Sequence, residues 1–307
     1  MSGRKTCALV TGGTGFVGSR LVRRLVAEDF DVRVVVRPGS NLRELAPVVG
    51  KIALMEHDGA TEDLVRGVAE APPDIVFHLA SYFVAEHRPE HVGRLMDSNL
   101  RFGAQLLEAM ALNGARLLVN AGTAWQHFGT SAYRPVCLYA ATKQAFEAVL
   151  EFYIDAHALR AITLKLFDTY GPGDPRPKLL SLLQKATATG APLDLSPGEQ
   201  LINPVYIDDV VEAFVLAGKR LLDGAPAGKE EYAVSSRHPL SVREFAAAYA
   251  SASGRGLELR WCAQPYRARE VMVPWNTGAS LPGWSPKVTL EEGIRRIAGC
   301  APPGESQ

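Results

Sequence analysis

Residues 7–27 read CALVTGGTGFVGSRLVRRLVA. Cys7 to Thr11 is a short apolar run that glycines stop, after which Val17, Leu21, Leu25 and Val26 recur at helical spacing. That order is strand, turn, helix. Gly12, Gly15 and Gly18 fill the turn with GxxGxxG spacing. Small residues there let a backbone approach a pyrophosphate at a helix N-terminus, although close strand-to-helix packing selects the same glycines. The glycines therefore need a second site beside them to carry a functional reading.

The rest of the chain repeats the unit. Val32 to Val36 (VRVVV), Asp74 to Leu79 (DIVFHL), Arg116 to Asn120 (RLLVN) and Ile162 to Phe167 (ITLKLF) read as buried strands. Amphipathic helices are expected at Asp97 to Leu112 and Tyr139 to Ala158. Strands that alternate with helices imply a parallel sheet covered on both faces. The expected fold is α/β, a Rossmann-type doubly wound parallel sheet with a smaller C-terminal substrate-binding lobe. Residues 1–170 form the dinucleotide-binding domain, to which 204–222 return. Residues 171–203 and 223–300 form the lobe, and 301–307 (APPGESQ) are expected to be a mobile tail.

Composition removes several classes. The 307 residues are 47% hydrophobic and 21% charged, as in an ordinary globular chain rather than a disordered or collagen-like one. Lys plus Arg (33) balances Asp plus Glu (33), so no net field draws nucleic acid or anionic lipid, and any anion site is local. Cys7, Cys137, Cys262 and Cys300 lie far apart and show no metal-ligand spacing, so no metal is expected. The N-terminus lacks a secretory apolar region and no run reaches the roughly 20 residues of a membrane span, which makes a cytoplasmic location the expectation.

The second site is Tyr139-Ala140-Ala141-Thr142-Lys143, a YxxxK at the start of an expected helix. One turn brings the phenol near the ammonium, and a nearby cation lowers a tyrosine pKa from its reference of about 10 towards acid–base use near neutrality.

With TGGTGFVG and YAATK, the stretches Asp58-Gly59, HLAS (78–81), Asn99, NAGT (120–123), DTYGPGD (168–174) and VYIDDV (205–210) resemble the extended short-chain dehydrogenase/reductases in their nucleotide-sugar-modifying, NAD-dependent epimerase/dehydratase branch. The resemblance spans about residues 7–298. It implies that Gly12, Thr14, Gly15, Phe16, Val17 and Gly18 hold a dinucleotide, with Asp58 and Gly59 near the adenine. Leu79, Ala80, Ser81 and Asn99 would line the cofactor path. Thr123 would hydrogen-bond the reacting oxygen, Tyr139 would exchange the proton, and Lys143 would hold the ribose. A homodimer through the two long helices is also implied.

Departures from the family pattern narrow the chemistry. The 4,6-dehydratase branch carries an Asp-Glu pair after the catalytic Thr, where this chain has Ala124 and Trp125. Dehydration then has no evident acid and base, and the carboxylate of the decarboxylase branch is missing too. NAD-using relatives carry an acid at the end of the second strand; here Val36 occupies the position and Arg37 follows, with Ser40 and Arg43 close by. A cation suits the 2′-phosphate of NADPH, and NAD fits less well.

For a nucleotide-sugar substrate, Arg267 in YRARE resembles the arginine that relatives place on the diphosphate, with Arg176 and Lys178 as further candidates. Trp125 and Asp168 complete the expected substrate site, Asp168 being equally suited to bond a sugar hydroxyl or to cap a helix. An arginine usual before VYIDDV is replaced by Ile202 and Asn203. GTAWQHF, CLYAATKQAFE, KLFDTYGP and SPGEQ look most like the CDP-sugar 4-ketoreductases of the CDP-paratose and CDP-abequose synthase type. That resemblance implies NADPH-dependent reduction of the C4 ketone of a nucleotide-linked deoxysugar, with Tyr139 as proton donor. An epimerase with tightly held NAD, a reductase of a non-sugar ketone and a non-catalytic NADP sensor of the same fold are the alternatives.

Overall fold

The computed structural model describes residues 4–129, 132–254 and 256–298. The proposed tail, residues 301–307, lies outside them. Strands β1 (Cys7–Thr11), β2 (Asp31–Val36), β3 (Ile52–Glu56), β4 (Ile75–His78), β5 (Leu117–Thr123) and β6 (Arg160–Leu166) come first. Short strands β7 (Asp168–Tyr170), β8 (Leu193–Asp194), β9 (Leu201–Ile202) and β10 (Pro204–Tyr206) precede β11 (Lys229–Val234), and β12 (Leu240–Ser241) and β13 (Leu259–Arg260) follow. The helices are α1 (Phe16–Ala27), α2 (Thr61–Glu70), α3 (His91–Met96), α4 (Phe102–Leu112), α5 (Leu138–His157), α6 (Leu179–Thr189), α7 (Ile207–Leu222), α8 (Val242–Ser253) and α9 (Leu290–Ala298).

The main sheet has the order β3-β2-β1-β4-β5-β6-β11, with every neighbouring pair parallel. This is the doubly wound order, whose direction of winding reverses between β1 and β4. Alternate side chains serve opposite layers because a strand turns its residues over every position. In β1, Ala8 and Val10 face the layer containing Leu21, Leu25 and Phe214, whereas Leu9 faces the layer containing Leu64, Leu107 and Leu150. Each fully buried leucine contributes roughly 1.5–3 kcal/mol of hydrophobic stabilisation. The seventh strand, β11, comes from residues that the sequence reading assigns to the smaller lobe, so the sheet reaches further along the chain than 204–222. The hydrophobic run at the end of KEEYAV is buried by pairing with β6, which a reading of composition shifts alone does not reveal.

The helix expected at 97–112 is longer and less regular than its sequence suggests. Between α3 and α4, Asp97–Arg101 forms a π-helical turn. Asn99, buried in that turn, accepts from Tyr82 N at 2.6 Å and donates to Tyr82 O and Thr142 Oγ1. The widened turn thus ties the segment after β4 to α5, in keeping with the frequent use of π-bulges beside functional sites.

Candidate active site

The glycine turn lies at the carboxyl end of β1. Gly12 has φ +70°, and a Cβ there would lie 2.6 Å from Ala80 N, so this glycine closes the turn against the end of β4. A side chain on Gly18 would run into Gly12 O. Gly15 differs: it is exposed, and its Cβ would meet only Gly12 O, at 3.3 Å. Gly15 is also the N-cap of α1, with no side-chain cap and no acid in the first turn. Two glycines pack the turn while the third leaves a helix N-terminus open to an anion. Thr14 and Val17 flank it half-buried, and the buried Phe16 ring carries the Arg20 and Arg176 guanidiniums 4.6 and 5.0 Å from its centroid.

At the end of β5, Thr123 is 8% exposed and caps a 3-10 turn over Ala124–Gln126. Its Oγ1 accepts from Trp125 N at 3.3 Å, and among the described residues no acceptor takes the hydroxyl hydrogen. Tyr139 and Lys143 stand one turn apart in α5. The Tyr139 ring meets Phe83 edge-on at 5.0 Å, and Phe83 meets Trp125 at 5.7 Å. Ser81 stands close enough to the Tyr139 phenol to favour its ionised form. Arg267 lies over the Trp125 ring at 5.5 Å, which closes an aromatic and cationic rim around the phenol.

The electrostatics depart from expectation. Burial pushes Tyr139 up to about 12, Ser81 opposes the shift, and Lys143 is not among its causes. Loss of solvent around Tyr139 thus outweighs, in the protein alone, the lowering by Lys143 that the YxxxK spacing suggests. Lys143 is itself pushed down to about 8 by burial, with Lys165 lowering it further and Glu147 opposing. At 2% exposure its ammonium makes no hydrogen bond or ion pair among the described residues. Beneath it, burial and then Lys143 push His78 down to about 3, so that ring is neutral while its Nδ1 shares a 2.8 Å hydrogen bond with Thr11 Oγ1. The Lys143 ammonium, one turn from Tyr139 on α5, and the uncapped N-terminus of α1 are polar groups of the kind that suit a ribose and a pyrophosphate.

Other expected residues fall around this centre. Leu79 and Ala80 leave β4 half-buried, and Leu79 N and Ala80 N donate to Thr11 O and Thr11 Oγ1. Arg37 and Ser40 form a tight turn after β2, with Arg37 N donating to Ser40 Oγ at 3.0 Å. The Arg37 guanidinium is exposed and makes no hydrogen bond or ion pair among the described residues. Asp58 Oδ1 accepts from Ala60 N, and Gly59 O accepts from Gln105 Nε2.

The substrate candidates are more heavily engaged within the protein. Arg267 is held bidentately by Glu270 at 2.7 and 2.9 Å, and Arg176 likewise by Asp174 at 2.7 Å through both Nε and Nη2. Burial and Arg176 push Lys178 down to about 8, against Asp168 and Asp174. Asp168 caps no helix: it opens β7 and its Oδ2 accepts from Asn203 N at 2.9 Å.

Residues 8–232 match the NAD dependent epimerase/dehydratase family. This chain is a member of that family. It is 30% identical to a UDP-glucose 4-epimerase of Mycolicibacterium smegmatis, over 94% of this chain and 96% of that one. It is 27% identical to a CDP-abequose synthase of Yersinia pseudotuberculosis, over 87% and 90%. The UDP-glucose 4-epimerase of Thermus thermophilus in complex with NAD superposes with a TM-score of 0.81 at 28% identity, covering 95% of this chain and 98% of that one.

Several residues that build the site in this epimerase/dehydratase family member escape a motif reading. Phe83 walls the phenol, Glu270 fixes Arg267, and Arg269 donates to Val136 O and Pro135 O, which ties the 267–270 loop to the entry of α5. Gln126 and Glu147 sit behind Thr123. Of these only Glu147 carries a legible signal, since Tyr139, Lys143 and Glu147 are spaced by four and share a helix face.

Proposed function

We propose that this protein is an NADPH-dependent reductase of the C4 ketone of a nucleotide-linked deoxysugar, of the CDP- or dTDP-4-keto-6-deoxy or 3,6-dideoxy hexose class. The observation that carries the reading is the end of β2, where Val36 stands in place of an acid and the unpartnered Arg37 follows beside Ser40. A guanidinium and a hydroxyl at that corner suit a 2′-phosphate, and a reductase consumes NADPH at each turnover. The absence of a carboxylate at Ala124 and Trp125 agrees with redox chemistry rather than dehydration.

When bound, the dinucleotide supplies the hydride. The chain's own residues do the rest. The open N-terminus of α1 at Gly15 binds the pyrophosphate, and Lys143 donates to the nicotinamide ribose. Thr123 directs its free hydroxyl hydrogen to the sugar ketone oxygen. Tyr139, protonated at neutral pH, gives that oxygen its proton. Trp125, Phe83 and Arg267 bound the sugar and its diphosphate. Exposed Leu112 and Phe152 on α4 and α5 support a homodimer through these helices. No described helix is long and apolar enough to cross a membrane.

A second reading is a nucleotide-sugar 4-epimerase, favoured by the 30% identity to the Mycolicibacterium smegmatis enzyme. Unfolding the purified protein, identifying any released nucleotide, and titrating a fresh sample with NADPH and NADH separates the two. An empty site that prefers NADPH, followed by consumption of NADPH with CDP- or dTDP-4-keto-6-deoxy sugars, supports the reductase. Stoichiometric, slowly exchanging NAD overturns it in favour of the epimerase.

Two substitutions test the cofactor side. Arg37→Ala removes a charge-assisted contact of about 1.5–3 kcal/mol, so the Kd of NADPH rises by roughly 10- to 100-fold while that of NADH stays constant. Equal changes for both cofactors in a fluorescence titration would refute the assignment. Gly15→Ala adds a methyl that needs Gly12 O to give by only a few tenths of an ångström, whereas a pyrophosphate has no room for it, so NADPH affinity falls about tenfold while Tm falls far less than for a substitution at Gly12 or Gly18. A large loss of Tm would instead place Gly15 with the packing glycines Gly12 and Gly18.

A further inference from the structure

Behind Thr123 lies a buried polar chain that the catalytic reading does not use. Thr123 N donates to Gln126 Oε1 at 3.0 Å. Gln126 Nε2 donates to Gln144 Oε1 at 2.6 Å and to Glu147 Oε1 at 3.0 Å. Both Glu147 oxygens accept from Lys165 Nζ, at 2.8 and 3.0 Å, and Lys165 also meets Glu231 at 3.1 Å. Gln126 and Lys165 are 0% exposed and Glu147 is 1% exposed.

We infer that Gln126 is a positioning residue that sets the orientation of Thr123 against α5, the helix carrying Tyr139 and Lys143; this rests on the reading of Thr123 as the group that orients the reacting oxygen.

The amide of Gln126 has only one way to sit. Lys165 occupies Glu147 with two donated hydrogens, so the Gln126 atom facing Glu147 must be a donor, which is Nε2. Oε1 then faces Thr123 N. The backbone of Thr123 is held from behind, and Trp125 N takes a lone pair of its Oγ1. With one acceptor site used, the hydroxyl is left to donate forward. Because Glu147 lies one turn beyond Lys143 and two beyond Tyr139 on the same helix, the ion pair references Thr123 to the two groups it must act with. A buried ion pair contributes little net stability, and fixing an orientation is a use that accounts for its presence. An isolated Thr123 would rely on its short turn alone.

A double-mutant cycle tests the inference with the 4-keto nucleotide sugar that the enzyme reduces. Gln126→Leu preserves size and removes both hydrogen-bonding groups. It should lower kcat at least about tenfold with KM and NADPH affinity little changed, should lower Tm because Thr123 N is left without its acceptor, and should cost nothing further in kcat in a Thr123→Ala background. Equal losses from Gln126→Leu in both backgrounds overturn the inference and leave the role of Thr123 intact. A Thr123→Ala variant with full activity overturns the reading of Thr123, and the positioning role falls with it.

Gln126→Glu supplies a signature that does not depend on how well the leucine variant folds. The introduced carboxyl faces Gln144, Glu147 and Lys165, with Lys143 on α5, Glu231 and Lys229 on β11 and His127 in its own turn nearby. Protonated, it donates to Glu147 as the amide does; ionised, it repels Glu147. Its kcat relative to wild type should therefore recover as pH falls. A constant ratio across pH overturns the inference.

Discussion

Replacing Tyr139 by phenylalanine lowers turnover by about 10²- to 10⁴-fold, the range supplied by a positioned general acid. NADPH still binds nearly as tightly as to wild type. The variant keeps the edge-on contact with Phe83 and loses only the hydroxyl. Stopped-flow measurement of a single turnover isolates the chemical step, and a variant retaining most of its rate there would remove Tyr139 from the mechanism. Burial holds the phenol at about 12, so on the proposed mechanism it stays protonated and able to donate throughout the neutral range. On the proposed mechanism, loss of the Lys143 charge as pH rises through about 8 should give the rate profile its limb at higher pH.

Lys143→Met separates function from stability by sign. The methionine keeps most of the stem and removes a buried ammonium that has no partner among the described residues. At 1.36 kcal/mol per pKa unit, the fall from 10.5 to about 8 corresponds to about 3 kcal/mol of strain in the charged state. The variant should gain stability of that order at neutral pH and lose nearly all turnover. The sign with pH follows from linkage. The folded-state pKa lies below the unfolded one, so the penalty is complete below about pH 8 and disappears as pH rises towards 10.5. The stability difference between variant and wild type should therefore shrink across that window in urea titrations. A variant less stable than wild type at pH 7 would mean that Lys143 has a partner in the folded protein.

Much of this was legible in the sequence because the informative features are local. The glycine turn, the strand residues VRVVV and the YxxxK spacing are each specified within one or two turns of chain. The doubly wound parallel sheet followed from their order. What escaped depends on contacts distant in sequence. The pairing of β11 with β6 joins residues more than sixty apart, and neither strand announces its neighbour. The phenol's pKa is likewise set by how much protein covers it, while the YxxxK spacing records only that a cation stands nearby. Arg267 and Arg176 were visible as cations, but their carboxylate partners Glu270 and Asp174 became meaningful only once the loops were folded.

The position of β11 at the edge of the main sheet also bears on how the chain is made and how it can be cut. Synthesis delivers β1 to β6 long before residues 229–234 emerge, so for that interval β6 is an uncovered edge, and Glu231 has yet to reach Lys165. Uncovered edges recruit other chains. A recombinant fragment ending near residue 170 keeps every cofactor-binding motif and remains permanently in that interval. It should collect in inclusion bodies, and restoring residues 204–234 should return it to the soluble fraction.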